Sequence, residues 1–161
     1  MESRAKLLGH PIHPMLIVVP LGLFVAAVVF DAIYLWRGSS TLATVAYWNI
    51  AAGIVGGLLA AVFGLIDWLA IPAGTRAKRI GLLHGGANVI VVVIFAMVWL
   101  MRSDTPDAIP TTNLFLLEVA ALGLGSVAGW LGGELVDRLG VGVDDGAHLD
   151  APSSLSGRPA R

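Results

Sequence analysis

Three histidines and two carboxylates stand where an apolar chain has least reason to keep them: His10, His13, Asp67, His84 and Glu134. Neutral imidazole and carboxylate are donors that transition-metal sites share, and imidazole is also an axial ligand of haem iron. His13 and His84 are the first ligands to consider. Asp67 and Glu134 follow as ligands or as groups that orient the imidazoles, with His10 in reserve. The donor set suits Fe, Zn or Mn, or a haem b iron held by His13 and His84. The sequence has no Glu-x-x-His pair of the kind that builds di-iron sites in helical bundles. In Gly9-His10-Pro11-Ile12-His13-Pro14, each Pro holds the preceding His extended, and Pro14 suits a first helical turn. Two imidazoles are thus presented on a stiffened entry to a helix.

The elements that must position these residues are set by lipid. Of 161 residues, 57% are hydrophobic and 13% charged, and the mean hydropathy is +0.83. Soluble domains carry about 25% charge, so the solvent of this chain is a bilayer. A span needs roughly 20 apolar residues, and four runs meet that length, from about 15 to 36, 45 to 71, 80 to 101 and 113 to 135. Short polar links such as Arg37-Gly38-Ser39-Ser40 join them, which predicts an all-α, up-down-up-down four-helix transmembrane bundle. Residues 1–140 form this domain, and the polar tail 141–161 reads as disordered. Arg4, Lys6, Arg76, Lys78, Arg79 and Arg138 lie on one side, against Arg37 and Arg102 on the other. The excess places both termini of this multi-pass membrane protein in the cytoplasm. Trp36, Trp48, Trp68 and Trp99 fall near helix ends, as an interfacial belt requires.

In such a bundle His10, His13, Asp67, His84 and Glu134 share one depth on the cytoplasmic side, with Asn88 one turn deeper than His84. Each half of the chain repeats the pattern: a histidine starts a helix and a carboxylate ends the next, as two parallel hairpins would. Gly85, Gly86, Gly132 and Gly133 leave room beside His84 for a flat macrocycle. Three functions remain open. The site holds a metal ion or haem for electron transfer or redox chemistry; or the same groups pair with one another and lock an accessory subunit; or they gate a small transporter or channel. Gly53, Gly57 and Ala61, with Gly125, Gly129 and Gly133, read as helix-packing faces and are compatible with a homo-oligomer. A smaller polar group, Asp31, Asn49 and Glu118, lies toward the opposite face and reads as packing or interfacial hydration. The absence of cysteine excludes thiolate ligands and disulfides. No phosphate loop, nucleophile elbow or basic stripe for nucleic acid is present.

The opening His10-Pro11-Ile12-His13-Pro14-Met15-Leu16, then Phe30-Asp31, Gly64-Leu65-Ile66-Asp67-Trp68, His84 and Gly129-Trp130-Leu131-Gly132-Gly133 resemble a bacterial membrane family catalogued as domain of unknown function 2231. The resemblance runs to about Leu139. It implies a four-helix inner-membrane protein without an assigned activity. Some members are fused to Rieske-type iron–sulfur domains, which implies an electron-transfer setting. This chain carries no such domain, so a redox partner would be a separate protein.

Overall fold

The computed structural model describes residues 1–158. A short hairpin pairs β1 (Lys6–Leu7) with β2 (His10–Pro11). Its turn residues Leu8 and Gly9 both have positive φ, the geometry that lets a two-residue loop follow strand twist. The rest is helical: α1 (Ile12–Leu16), α2 (Val18–Arg37), α3 (Ser40–Ala70), α4 (Arg76–Arg102) and α5 (Thr112–Gly133). α1 and α2 form one span with a joint at Ile17. Pro20, three residues on, lacks the N–H that would close the next turn onto Leu16. Four spans result, Ile12–Arg37, Ser40–Ala70, Arg76–Arg102 and Thr112–Arg138, each long and apolar enough to cross a bilayer. They extend three to five residues beyond the apolar runs at Ile12, Ser40, Arg76 and Arg138 and agree with them within one residue at the other ends. Gly38, at φ 73°, donates to Tyr34 O and closes α2. The hydroxyls of Thr75 and Thr111 accept from the Lys78 and Leu114 amides and open α4 and α5. The last turn, Glu134–Arg138, widens to π geometry.

Consecutive helices pack antiparallel into two hairpins, the first span along α3 and α4 along α5. α3 and α4 join the hairpins, and α2 meets α5 over a shorter stretch. The densest packing lies in the half nearer the 38–39 and 103–111 connections, here the loop side. Its buried cluster includes Phe24, Ile50, Phe95, Val98 and Leu114. Phe24 and Phe95 stack with ring centres 4.0 Å apart. Gly53 makes this stack possible, since a Cβ there would lie 2.6 Å from Phe24 Cε1. Long apolar side chains such as Leu21, Val55, Leu82 and Leu116 point outward, as lipid-facing residues must. Trp36 and Trp48 are exposed near helix ends, whereas Trp99 turns inward, packs on the core and stacks on Tyr47.

On the opposite, terminal side the chain ends meet. The Met1 ammonium donates to Gly140 O at 2.8 Å, and the Gly142 amide donates to Met1 O at 2.9 Å. The tail expected to be disordered runs back over the hairpin, bringing Ser154 Oγ 3.3 Å from His10 Nε2. Its last residues, 159–161, lie outside the described residues.

Candidate functional site

His13 sits in α1 and His84 in α4, on two helices that start at the terminal side. His13 Nδ1 lies 2.8 Å from Ala60 O on α3, and His84 Nδ1 lies 2.8 Å from Ala128 O on α5. A carbonyl only accepts, so Nδ1 carries a proton in both rings, and in the neutral imidazole Nε2 is the nitrogen with the lone pair. The two contacts repeat one local design. Four residues after each carbonyl comes a glycine, Gly64 or Gly132, and the imidazole lies over it. An added Cβ would stand 2.9 Å from His13 Nδ1 and 3.0 Å from His84 Cε1. Both glycines are therefore the seats of the rings, which fills the space at Gly132 that the sequence left for a macrocycle. Gly85, Gly86 and Gly133 do face open space.

The ring centres of His13 and His84 are 6.2 Å apart with planes at 85°. Asn88, one turn along α4, donates through Nδ2 to His84 O at 2.9 Å and stands 3.4 Å from His84 Nε2. Both imidazoles are half-buried, and so are Gly64, Asn88 and Gly132 against them. The packing here is looser than on the loop side.

The other three candidate ligands are placed elsewhere. Asp67 anchors the N-terminal segment: it accepts from Ser3 Oγ at 2.7 and 2.8 Å and from the Arg4 amide at 2.8 Å. Glu134 pairs with Arg76 at 2.6 Å, tying the end of α5 to the start of α4. His10 faces the tail and lines an open, mostly apolar cleft of about 560 Å³ between the first span and the end of the fourth, with Pro14, Met15 and Val136. Among the described residues, no three His, Asp or Glu side chains gather as a metal set. The histidine pair is what the fold brings together. Near this mouth, the hydrogen bond from Lys6 to Glu2 holds the lysine ammonium above its ordinary pKa.

A second polar centre lies on the loop side, and one of its members was missed in the sequence. Arg102, the last residue of α4, is 0% exposed, as are Asp31 and Glu118. Its guanidinium clasps Asp31 with Nη1–Oδ2 at 2.6 Å and Nη2–Oδ1 at 3.0 Å. Nη1 also reaches Glu118 Oε1 at 3.2 Å, Nη2 reaches Ala43 O at 3.0 Å, and Nε reaches Ala108 O at 2.7 Å. Asp31 and Glu118 were noted in the sequence as a minor polar group. Arg102 was counted there as a loop charge, because a cation at a helix end ordinarily snorkels to water. The signal available was depth: Asp31 near the end of one span, Arg102 at the end of another and Glu118 near the start of the last fall level in an antiparallel bundle. Asn49, grouped with them in the sequence, is half-buried and makes no part of the cluster's hydrogen bonds.

The family model described as "Predicted membrane protein (DUF2231)" matches residues 9–145, a stretch that includes both centres. No curated protein matches the chain, and no solved structure does.

Proposed function

The chain belongs to the DUF2231 family of predicted membrane proteins, and on that premise we propose that it serves membrane electron transfer, with His13 and His84 as the two protein ligands of one haem b iron. The observation that carries this reading is the matched imidazole pair. Each ring meets a helix carbonyl through Nδ1, which turns Nε2 to the ligand role; on His84 that Nε2 stands 3.4 Å from Asn88 Nδ2, a contact that a bound iron would displace. The imidazole centres stand 6.2 Å apart, close enough for both rings to reach one metal ion.

Ligand count favours haem over a bare ion. Zinc or manganese asks for further protein donors, and Asp67, Glu134 and His10 are engaged elsewhere. A haem iron would be held by His13 and His84 alone and would supply one-electron chemistry. The residues of this chain hold the imidazoles: Ala60 and Ala128 fix the tautomer, Gly64 and Gly132 seat the rings, and Asn88 braces His84 through its carbonyl.

The membrane is that of a bacterial cell, with the terminal side in the cytoplasm. Arg102 is buried and clasped by Asp31, so on the loop side Arg37 is, among the described residues, the exposed cation set against the basic residues of the terminal side. A separate redox protein would meet the bundle at that side. One observation favours a second reading: the same Nδ1 contacts cross-link the helices of each hairpin, which an accessory subunit without a cofactor would also use.

Protein made with haem supplied and purified without a histidine tag decides between them. Iron near one per chain and a reduced-minus-oxidised haem spectrum are expected, both lost in His13→Ala and His84→Ala while helicity is kept. Zinc or manganese in place of iron would move the assignment to a bare ion. Folded protein with no metal, or metal that survives both substitutions, would refute the pair as ligands and leave the cross-linking role.

A further inference from the structure

We propose that the Asp31–Arg102–Glu118 cluster is a binding site for one proton, held on Glu118 and covered by the Pro106–Ala108 turn. This rests on the loop-side cluster alone and is independent of any cofactor at the histidines. The three side chains come from α2, α4 and α5 and are fully buried. Guanidinium has five N–H donors, and the five hydrogen bonds to Asp31 (two), Glu118, Ala43 and Ala108 use them all. The cation is thereby committed, and the two carboxyls are served unequally. Asp31 receives a bidentate clasp, whereas Glu118 has a single contact at 3.2 Å to a nitrogen already bonded to Asp31 at 2.6 Å. Glu118 Oε2 is buried and accepts from no donor.

One cation cannot neutralise two carboxylates. With both ionised, the cluster would hold a net negative charge inside a bilayer, with one carboxylate oxygen stripped of every donor. Carboxyls that share one site resolve this by keeping a proton between them. The bidentate clasp assigns the negative charge to Asp31 and the proton to Glu118. No other charge at this end offers relief, since Arg37, Asp104 and Asp107 are exposed to solvent.

The cover is strained in a way that serves the site. Asp107 and Ala108, neither of them glycine, take φ of 54° and 51°, a conformation L side chains seldom adopt. Thr44 Oγ1 holds Asp107 O at 3.1 Å, and Arg102 Nε holds Ala108 O at 2.7 Å. Opening the turn removes one of the guanidinium's acceptors and admits water to the carboxyl pair.

Infrared spectroscopy of the protein in lipid vesicles at neutral pH tests the site. One protonated-carboxyl C=O band per chain is expected. It should shift when the protein carries glutamate labelled with carbon-13 at the side-chain carboxyl, and should be missing from Glu118→Gln. Glu2 and Glu134, the other glutamates, pair with Lys6 and Arg76, and Glu2→Gln and Glu134→Gln should leave the band in place. Absence of the band, or a band that ignores the glutamate label, would overturn the proposal. The labelled native protein gives that answer even where Glu118→Gln does not fold. Transfer to D2O should shift the band slowly in the native chain and at least several-fold faster in Thr44→Val; equal rates would overturn the cover.

Discussion

Substitution in the loop-side cluster should be strongly non-additive, because Arg102 has a spare carboxyl to fall back on. In Glu118→Gln a neutral acid gives way to a neutral isostere that keeps an oxygen for the 3.2 Å contact to Nη1. The cost is expected within about 1 kcal/mol, the scale of one ordinary hydrogen bond. Asp31→Asn removes the partner clasped at 2.6 and 3.0 Å. Glu118 then releases its proton and takes over the charge, so the loss is limited to bond geometry, about 1–3 kcal/mol. The double substitution removes both counter-charges and leaves a buried guanidinium unpaired, which costs about 3–5 kcal/mol. The double change should therefore exceed the sum of the singles by about 1–2 kcal/mol, within the usual range for groups in one network. Equilibrium unfolding by SDS in mixed micelles, followed by helical circular dichroism, measures all four corners of the cycle. Additivity to within about 0.5 kcal/mol, or Asp31→Asn as costly as the double, would refute the reasoning.

Gly53→Ala forces a Cβ against Phe24, whose stacking on Phe95 leaves it little room to move, and should cost about 1–3 kcal/mol in the same assay. Gly123→Ala faces open space and should be neutral or stabilising by up to about 1 kcal/mol. Gly64→Ala and Gly132→Ala should each lower bound iron by comparable factors while the bundle still assembles, since both displace an imidazole from its seat; a change that affects one alone would break the equivalence of the two hairpins. Asp67→Ala should free the first residues of the chain, so that trypsin cleaves after Arg4 and Lys6 many-fold faster with helicity unchanged; unchanged cleavage would show that Asp67 does not hold the segment.

The spans were legible because lipid imposes a minimum run length, and the hairpin order because the links are too short for any other. His13 and His84 were legible from their place at the starts of two parallel helices. What lay hidden was the choice of partner. Asp67 and Glu134 share the depth of the histidines, yet depth does not reveal that Ser3 and the Arg4 amide reach one, or that Arg76 reaches the other. Those partners sit in segments without hydrophobic period. Arg102 was hidden for the opposite reason, since it ends an apolar run where a cation commonly escapes to water. Only a turn that doubles back to cap it with Ala108 O keeps it inside.

The ion cluster also has a history during synthesis. Asp31 and Arg102 are 71 residues apart in the chain. At about 5–20 residues per second, the acid is made some 4–14 s before its counter-charge. The first span is therefore made with an acid whose counter-charge comes only with the third, and Arg102 is the residue that completes the charge balance begun at Asp31.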